Sequence, residues 1–84
     1  MSVGIQDIQS SGITIYPTAT KSIINITTTN FPIDISIFDI HGRCVKRDVI
    51  TGNTQIDITD LASGIYTIIC NQNGIVFNQK IIKL

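Results

Sequence analysis

The sequence has no glutamate, no tryptophan and no net charge. All six acidic residues are aspartate, and six lysine and arginine residues balance them. Glutamate favours helix surfaces whereas aspartate favours turns, so this choice of acidic residue argues against a helical protein. The absence of a basic excess excludes the electrostatic footprint of a nucleic-acid-binding domain. The sequence also has no apolar run of the roughly 18 residues that a transmembrane helix needs.

Isoleucine, valine and threonine dominate instead, with 34 of the 84 residues. These β-branched side chains fit a pleated sheet better than a helix. Alternating or continuous apolar residues predict seven strands. The predicted strands span 12–16, 22–27, 33–38, 43–49, 54–59, 65–70 and 75–84. Segment 65–70 is apolar at nearly every position, which is typical of a central strand covered on both faces.

Three residue pairs are interpreted as two-residue hairpin loops, because glycine and asparagine accept the positive φ of primed turns. The pairs are His41-Gly42, Gly52-Asn53 and Asn73-Gly74. Seven short strands with this spacing predict an all-β domain, a seven-stranded antiparallel β-sandwich of immunoglobulin-like or Greek-key topology. A closed barrel is the alternative. Residues 1–11 are polar and lack a clear period, so we interpret them as a linker from a longer upstream protein, with the domain over 12–84.

The sequence offers little for catalysis, cofactors or metals. His41 is the only histidine, and it lies in a predicted turn with no nucleophile near it, so no catalytic residue is predicted. No cofactor is predicted either. Three aspartates fall at strand ends or turns, where aspartate normally caps its own backbone rather than binding Ca²⁺. They are Asp39, Asp57 and Asp60. Cys44 and Cys70 occupy opposite kinds of strand position, which favours two free thiols over a disulfide.

Four blocks of sequence occur in an order that identifies a family. They are Ile13–Pro17, Ile37–Arg43, Leu61–Tyr66 and Lys80–Leu84. Together they resemble the type A C-terminal sorting domain of the type IX (Por) secretion system of Bacteroidetes, and the resemblance covers residues 13–84. Two turns depart from the family pattern. Thr18-Ala19 stands where the family usually has Asn-Pro, and His41-Gly42 stands where it usually has Asn-Gly.

The resemblance implies a secretion signal rather than a catalyst. Such domains follow a secreted cargo domain in the same chain, fold in the periplasm and are recognised by the outer-membrane translocon. A sortase-like signal peptidase commonly removes them as the cargo is anchored at the cell surface. The implied location is therefore the periplasm in transit, and then the outer-membrane surface or the extracellular space. Cleavage is expected in or before residues 1–12, since proteases need accessible backbone.

Two sets of residues follow from the motifs. The first set is expected to build the fold, and it comprises Tyr16, Pro17, Asp39, Gly42, Arg43, Leu61, Gly64 and Tyr66. In this set Gly42 makes a hairpin turn with Arg43 exposed beside it, Leu61 fills the core before a turn that Gly64 allows, and Tyr66 buries its ring while its hydroxyl finds a partner.

The second set is the candidate contact with the translocon. We hypothesise that segment 77–84 is an edge strand, read by β-augmentation and by its two lysines, which alternation places on opposite faces. The candidate recognition residues are Lys80, Ile81, Ile82, Lys83 and Leu84.

Two other classes of function stay open at this point. One is a fibronectin-like or carbohydrate-binding module of a secreted enzyme or adhesin. Such sites typically use exposed aromatic residues, and the chain has only two tyrosines and three phenylalanines. The other is a self-assembling domain that pairs through free strand edges.

Overall fold

A computed structural model describes the backbone of residues 5–7 and the complete residues 12–28 and 32–84. These residues form strands and no helix, as the β-branched composition predicts. In the same ranges no helix has the length and hydrophobicity to cross a membrane. The strands are β1 (Ile5–Asp7), β2 (Thr14–Tyr16), β3 (Ala19–Thr20), β4 (Ile23–Thr27), β5 (Ile33–Phe38), β6 (Cys44–Ile50), β7 (Thr54–Asp57), β8 (Gly64–Gln72) and β9 (Ile75–Lys83).

The strands form two sheets. The larger sheet has the order β1-β9-β8-β5-β6, with β3 also paired to β9, and the smaller has the order β2-β4-β7. All seven predicted strands are present. The two additional strands, β1 and β3, both pair with β9 in parallel, so the expectation of a purely antiparallel arrangement is wrong. Strand β1 lies within the segment that we interpret as a linker.

The hydrophobic core lies between the two sheets, because buried side chains of both belong to one cluster. Alternating isoleucines supply most of it, and each fully buried one contributes about 1.5–3 kcal/mol. The smaller sheet and its flanks contribute Ile13, Ile15, Ile24, Ile26, Ile56 and Ile58. The larger sheet contributes Ile33, Ile35, Ile37, Ile50, Tyr66, Ile68, Cys70, Phe77 and Ile81. Since the described strands form two separate sheets, the closed-barrel alternative is wrong.

Strand β8 is central in its sheet, as predicted, but the core covers only one of its faces. Tyr66, Ile68 and Cys70 are buried, whereas Ile65 is 46 % exposed and Ile69 is half-buried. The prediction of a strand covered on both faces is therefore wrong for the described residues. A continuous apolar run is typical of double coverage, but here it reflects aliphatic side chains on the outer face of the larger sheet.

Only one of the three predicted two-residue hairpin loops is confirmed. Asn73 and Gly74 join β8 to β9, with φ values of 54° and 84°, as primed turns require. Residues 51–53 instead lead from β6 in the larger sheet to β7 in the smaller one. His41-Gly42 lies inside a longer loop, residues 39–43. Turn residues mark where the chain bends, but they do not tell which sheet the next strand joins.

Candidate functional site

The block that contains Asp39 and Arg43 folds as a self-contained turn. One carboxylate oxygen of Asp39, Oδ1, accepts hydrogen bonds from the backbone N–H groups of His41 (2.8 Å) and Arg43 (3.0 Å). The other, Oδ2, accepts one from Arg43 Nε at 2.9 Å. The backbone N–H of Gly42 donates to the Asp39 carbonyl, and Gly42 has a φ of 79° that glycine adopts without strain. These bonds, chiefly that from the Arg43 backbone, lower the pKa of the Asp39 carboxyl.

The predicted exposure of Arg43 is confirmed, since 75 % of its side-chain surface is accessible. The three aspartates considered for Ca²⁺ each bind a separate local partner. Asp57 accepts hydrogen bonds from the backbone N–H and the hydroxyl of Thr59, and Asp60 pairs with Lys46 at 3.1 Å. In the described part of the chain no three histidine, cysteine or acidic side chains form a group that could hold a metal ion.

The block Leu61–Tyr66 forms the corner between β7 of the smaller sheet and β8 of the larger. Tyr66 buries its ring, and its hydroxyl donates to the Ala62 carbonyl at 2.6 Å. Leu61 packs half-buried against the core, and its N–H donates to the Ile58 carbonyl at 3.0 Å. Gly64 begins β8 with a φ of 152°. The buried ring and bonded hydroxyl predicted for Tyr66 are confirmed, whereas Leu61 lies at the margin of the core and Gly64 is the first residue of a strand.

The block Ile13–Pro17 takes the chain from the smaller sheet toward the larger one. Tyr16 ends β2 with 48 % of its surface exposed, and its carbonyl accepts a hydrogen bond from Asn25 Nδ2 at 3.2 Å. Pro17 ends the strand as predicted, and the peptide bond that precedes it is cis. Two residues later the chain enters β3, which belongs to the larger sheet.

The two cysteines are free, as predicted. Cys44 is exposed at the start of β6, and Cys70 is buried in the core. Burial raises the pKa of the Cys70 thiol to about 11. The environments of the two thiols therefore differ as their strand positions predict.

The candidate recognition residues alternate between the two faces of β9. Ile81 and Lys83 are buried, with 1 % and 9 % of their surfaces exposed. Lys83 keeps a polar contact by donating from Nζ to the Leu84 carbonyl at 3.2 Å. Ile82 and Leu84 are 43 % and 54 % exposed, and Lys80 is also exposed. The prediction that the two lysines lie on opposite faces is confirmed.

The hypothesis that this segment is a free edge strand is wrong. Strand β8 pairs with the whole of β9 on one side. On the other side β1 pairs with residues 76–78 and β3 with residues 82–83. The N–H groups of Ile82 and Leu84 donate to the carbonyls of Thr18 (2.7 Å) and Thr20 (2.9 Å). The sequence gives no signal for β3, because two residues are too short to show a period.

The edge strand at the end of the larger sheet opposite β1 and β3 is β6, which pairs with β5 only among the described strands. This edge carries Lys46, Arg47 and Asp48, and its register shifts opposite Ile37 and Phe38. Charged side chains and irregular register both discourage pairing with another strand. Strand β6 is therefore protected against the self-assembly that an open isoleucine-rich edge would favour.

Comparison with known proteins supplies the identity of the family. The model of the secretion system C-terminal sorting domain matches residues 14–84. No curated protein matches the sequence at a significant level. The match includes the last five residues and all of the corner and turn residues described above. The chain therefore belongs to the family of secretion system C-terminal sorting domains, the C-terminal secretion signals of the type IX system.

Proposed function

We propose that the type IX translocon recognises this domain in its folded state, through the segment Lys80–Leu84, and that the domain has no catalytic role. Family membership makes the chain a sorting signal that the type IX machinery recognises for export across the outer membrane. The observation that supports recognition in the folded state is the position of this segment. Strand β8 pairs with residues 80–83 on one side and β3 pairs with residues 82–83 on the other, while three of the five side chains are exposed.

The fold that carries the signal is, we propose, an immunoglobulin-like sandwich. Without β1 and β3, the sheets are β2-β4-β7 and β9-β8-β5-β6. In the constant-type immunoglobulin fold the fourth of the seven strands pairs with the fifth. Here the fourth strand, β6, pairs instead with the third, β5. The bond from the Tyr66 hydroxyl to Ala62 supports the assignment. A tyrosine near the start of the sixth strand, bonded to the backbone a few residues upstream, is a hallmark of that fold.

The direction of β1 suits a domain that follows a cargo. Strand β1 runs parallel to β9, with Ile5 opposite Val76. At about 3.3 Å per residue, Val76 and Leu84 lie about 26 Å apart along the strand. A cargo domain upstream of β1 would therefore lie toward the opposite end of β9 from Leu84. The proposed recognition segment then stays accessible while the cargo is attached.

We place removal by a sortase-like signal peptidase before Ile5. The backbone of residues 5–7 is held in a ladder with β9, and a paired strand is a poor protease substrate. The fragment that this cleavage leaves would retain all strands of the domain. The domain would be in the periplasm during transit, and the cargo would end at the outer-membrane surface or in the extracellular space.

The test is export of a reporter enzyme fused upstream of the chain, in a bacterium with a type IX system. We expect the intact fusion to reach the cell surface or medium, and a fusion in which the exposed residues Lys80, Ile82 and Leu84 are all replaced by serine to stay in the periplasm. Thermal unfolding of both purified domains controls for loss of the fold. Equal export of both fusions would contradict recognition through Lys80–Leu84, and retention of the intact fusion would contradict the signal itself.

A further inference from the structure

The outer face of the larger sheet has an apolar area beside the end of β9. Ile65 of β8 and Ile82 of β9 lie directly opposite each other, and they are 46 % and 43 % exposed. Leu84 continues the alternation and is 54 % exposed. Lys80, two residues before Ile82, lies on the same face of β9 and opposite Thr67 of β8. We refer to Ile65, Lys80, Ile82 and Leu84 as the terminal patch.

Lys80 is the positively charged side chain of the terminal patch, and none of the other side chains in the patch is charged. Over the described residues the ion pairs are Arg43–Asp39 and Lys46–Asp60, so Lys80 is in neither. No member of the patch is acidic. Scattered exposed aliphatic residues are normal on a protein surface, but three close together beside an unpaired cation are a more specific arrangement.

The structure leaves few other ways to contact the last residues of the folded domain. The side chains of Ile81 and Lys83 are buried. The backbone of β9 is paired to β8 along its length and to β1 and β3 over residues 76–78 and 82–83. On the outer edge of β9, Ile75 and residues 79–81 have no partner among the described strands, and the longer of these gaps spans only the three residues between β1 and β3. The outward side chains are what a partner can reach.

We propose that the terminal patch is the docking surface for a translocon protein that presents an aliphatic pocket beside a carboxylate. This rests on the function proposed above, and it replaces strand addition by docking of side chains on the sheet face. The pocket would cover Ile65, Ile82 and Leu84, and the carboxylate would pair with Lys80. Ile65 is a new member of the site, because it is distant in sequence from Lys80–Leu84.

The test uses the reporter fusion with variants of the patch. The double variant Ile65→Thr, Ile82→Thr keeps β-branched residues in both strands and is expected to lower export severalfold. Lys80→Gln is expected to lower export, and Lys80→Glu to lower it further. The matched controls are Ile23→Thr with Ile75→Thr, which are exposed aliphatic residues elsewhere, and Lys21→Gln. Thermal unfolding of each domain checks that the fold persists.

The outcomes separate this proposal from the one on which it rests. Normal export of both Lys80 variants would overturn the docking surface, whereas loss of export only on combined replacement of Lys80, Ile82 and Leu84 would leave the signal function standing. Normal export after that replacement would instead contradict the proposed function. Analytical ultracentrifugation tests whether a second copy of the domain, rather than a translocon protein, binds the terminal patch. A dimer of the intact domain that the Ile65→Thr, Ile82→Thr variant abolishes would also overturn the proposal.

Discussion

The two faces of β9 differ in their surroundings although their residues are consecutive in sequence. Phe77, Ile81 and Lys83 are buried on the core side, and Ile81 is only 1 % exposed. Lys80 and Ile82 are exposed on the outer side. The alternation of a strand is enough to divide one short motif between two physical tasks. One face stabilises the fold, and the other is accessible to a partner.

The largest effect expected from this comparison is on stability. Ile81→Ala removes a fully buried side chain and is expected to lower the free energy of unfolding by about 2–5 kcal/mol. Ile82→Thr, one residue away, keeps the branched shape and is expected to cost less than about 1 kcal/mol. Urea unfolding of both variants measures the difference. Similar losses for the two would contradict the division of β9 into a core face and an outer face.

A second pair of variants compares Gly64, the first residue of β8, with Gly52, in the loop between β6 and β7. Gly64 begins β8 with a φ of 152°, which side chains rarely allow, so Gly64→Ala is expected to cost about 1–3 kcal/mol. Gly52 has no neighbouring atom within 4 Å of an added methyl group and no positive φ. Gly52→Ala is therefore expected to be neutral, or stabilising by up to about 1 kcal/mol. Urea unfolding measures both, and an equal cost would show that backbone conformation at Gly64 is unimportant.

A smaller difference in stability is expected between variants of the two tyrosines, Tyr66 and Tyr16. Tyr66→Phe removes the hydroxyl that bonds to the Ala62 carbonyl, and we expect a loss of about 0.5–1.5 kcal/mol. Tyr16→Phe, at an exposed position, is expected to change stability by less than about 0.5 kcal/mol. The midpoints of thermal unfolding give the comparison. A larger loss for Tyr16→Phe would contradict the role of Tyr66 in holding the corner.

The smallest effect is a pH dependence that comes from the turn at Asp39. Folding lowers the pKa of this carboxyl below its ordinary value of 3.8. Above pH 3.8 the ionised carboxylate of Asp39 therefore stabilises the folded state. This contribution to the free energy of unfolding is lost as the pH falls through the lowered pKa of the folded state. Below about pH 4 the parent domain should lose stability more steeply than Asp39→Asn, which cannot titrate. Asp57 titrates in both proteins, so the difference in acid unfolding isolates Asp39; parallel curves would contradict it.

Much of the fold can be predicted from the sequence because the core is built from alternating isoleucines. The pattern gives seven of the nine described strands, and the motif residues give the exposed Arg43 and the buried ring of Tyr66. Periodicity does not give β3, which has only two residues, and it does not give β1, because residues 1–11 lack a clear period. It also cannot tell that the apolar run in β8 faces the core on only one side.

The candidate site is predictable only in part, for the same physical reason. The alternation of side chains along a strand predicts which residues of Lys80–Leu84 share a face, and the structure agrees with that prediction. Whether β9 is an edge strand depends on two segments that are distant from it in sequence. Ile5–Asp7 pairs near the start of β9, and Ala19–Thr20 pairs at its end. Membership of Ile65 in the outer surface likewise depends on the register between β8 and β9. Such long-range pairings do not follow from local patterns.

The most direct test of recognition in the folded state is competition. The free domain, without cargo, would be produced in the periplasm of cells that export the reporter fusion, and the exported fraction of the reporter would be measured. The account predicts that the intact domain lowers reporter export, whereas the Ile65→Thr, Ile82→Thr variant, folded and equally abundant, does not. Equal inhibition by the two domains, or none by either, would contradict it.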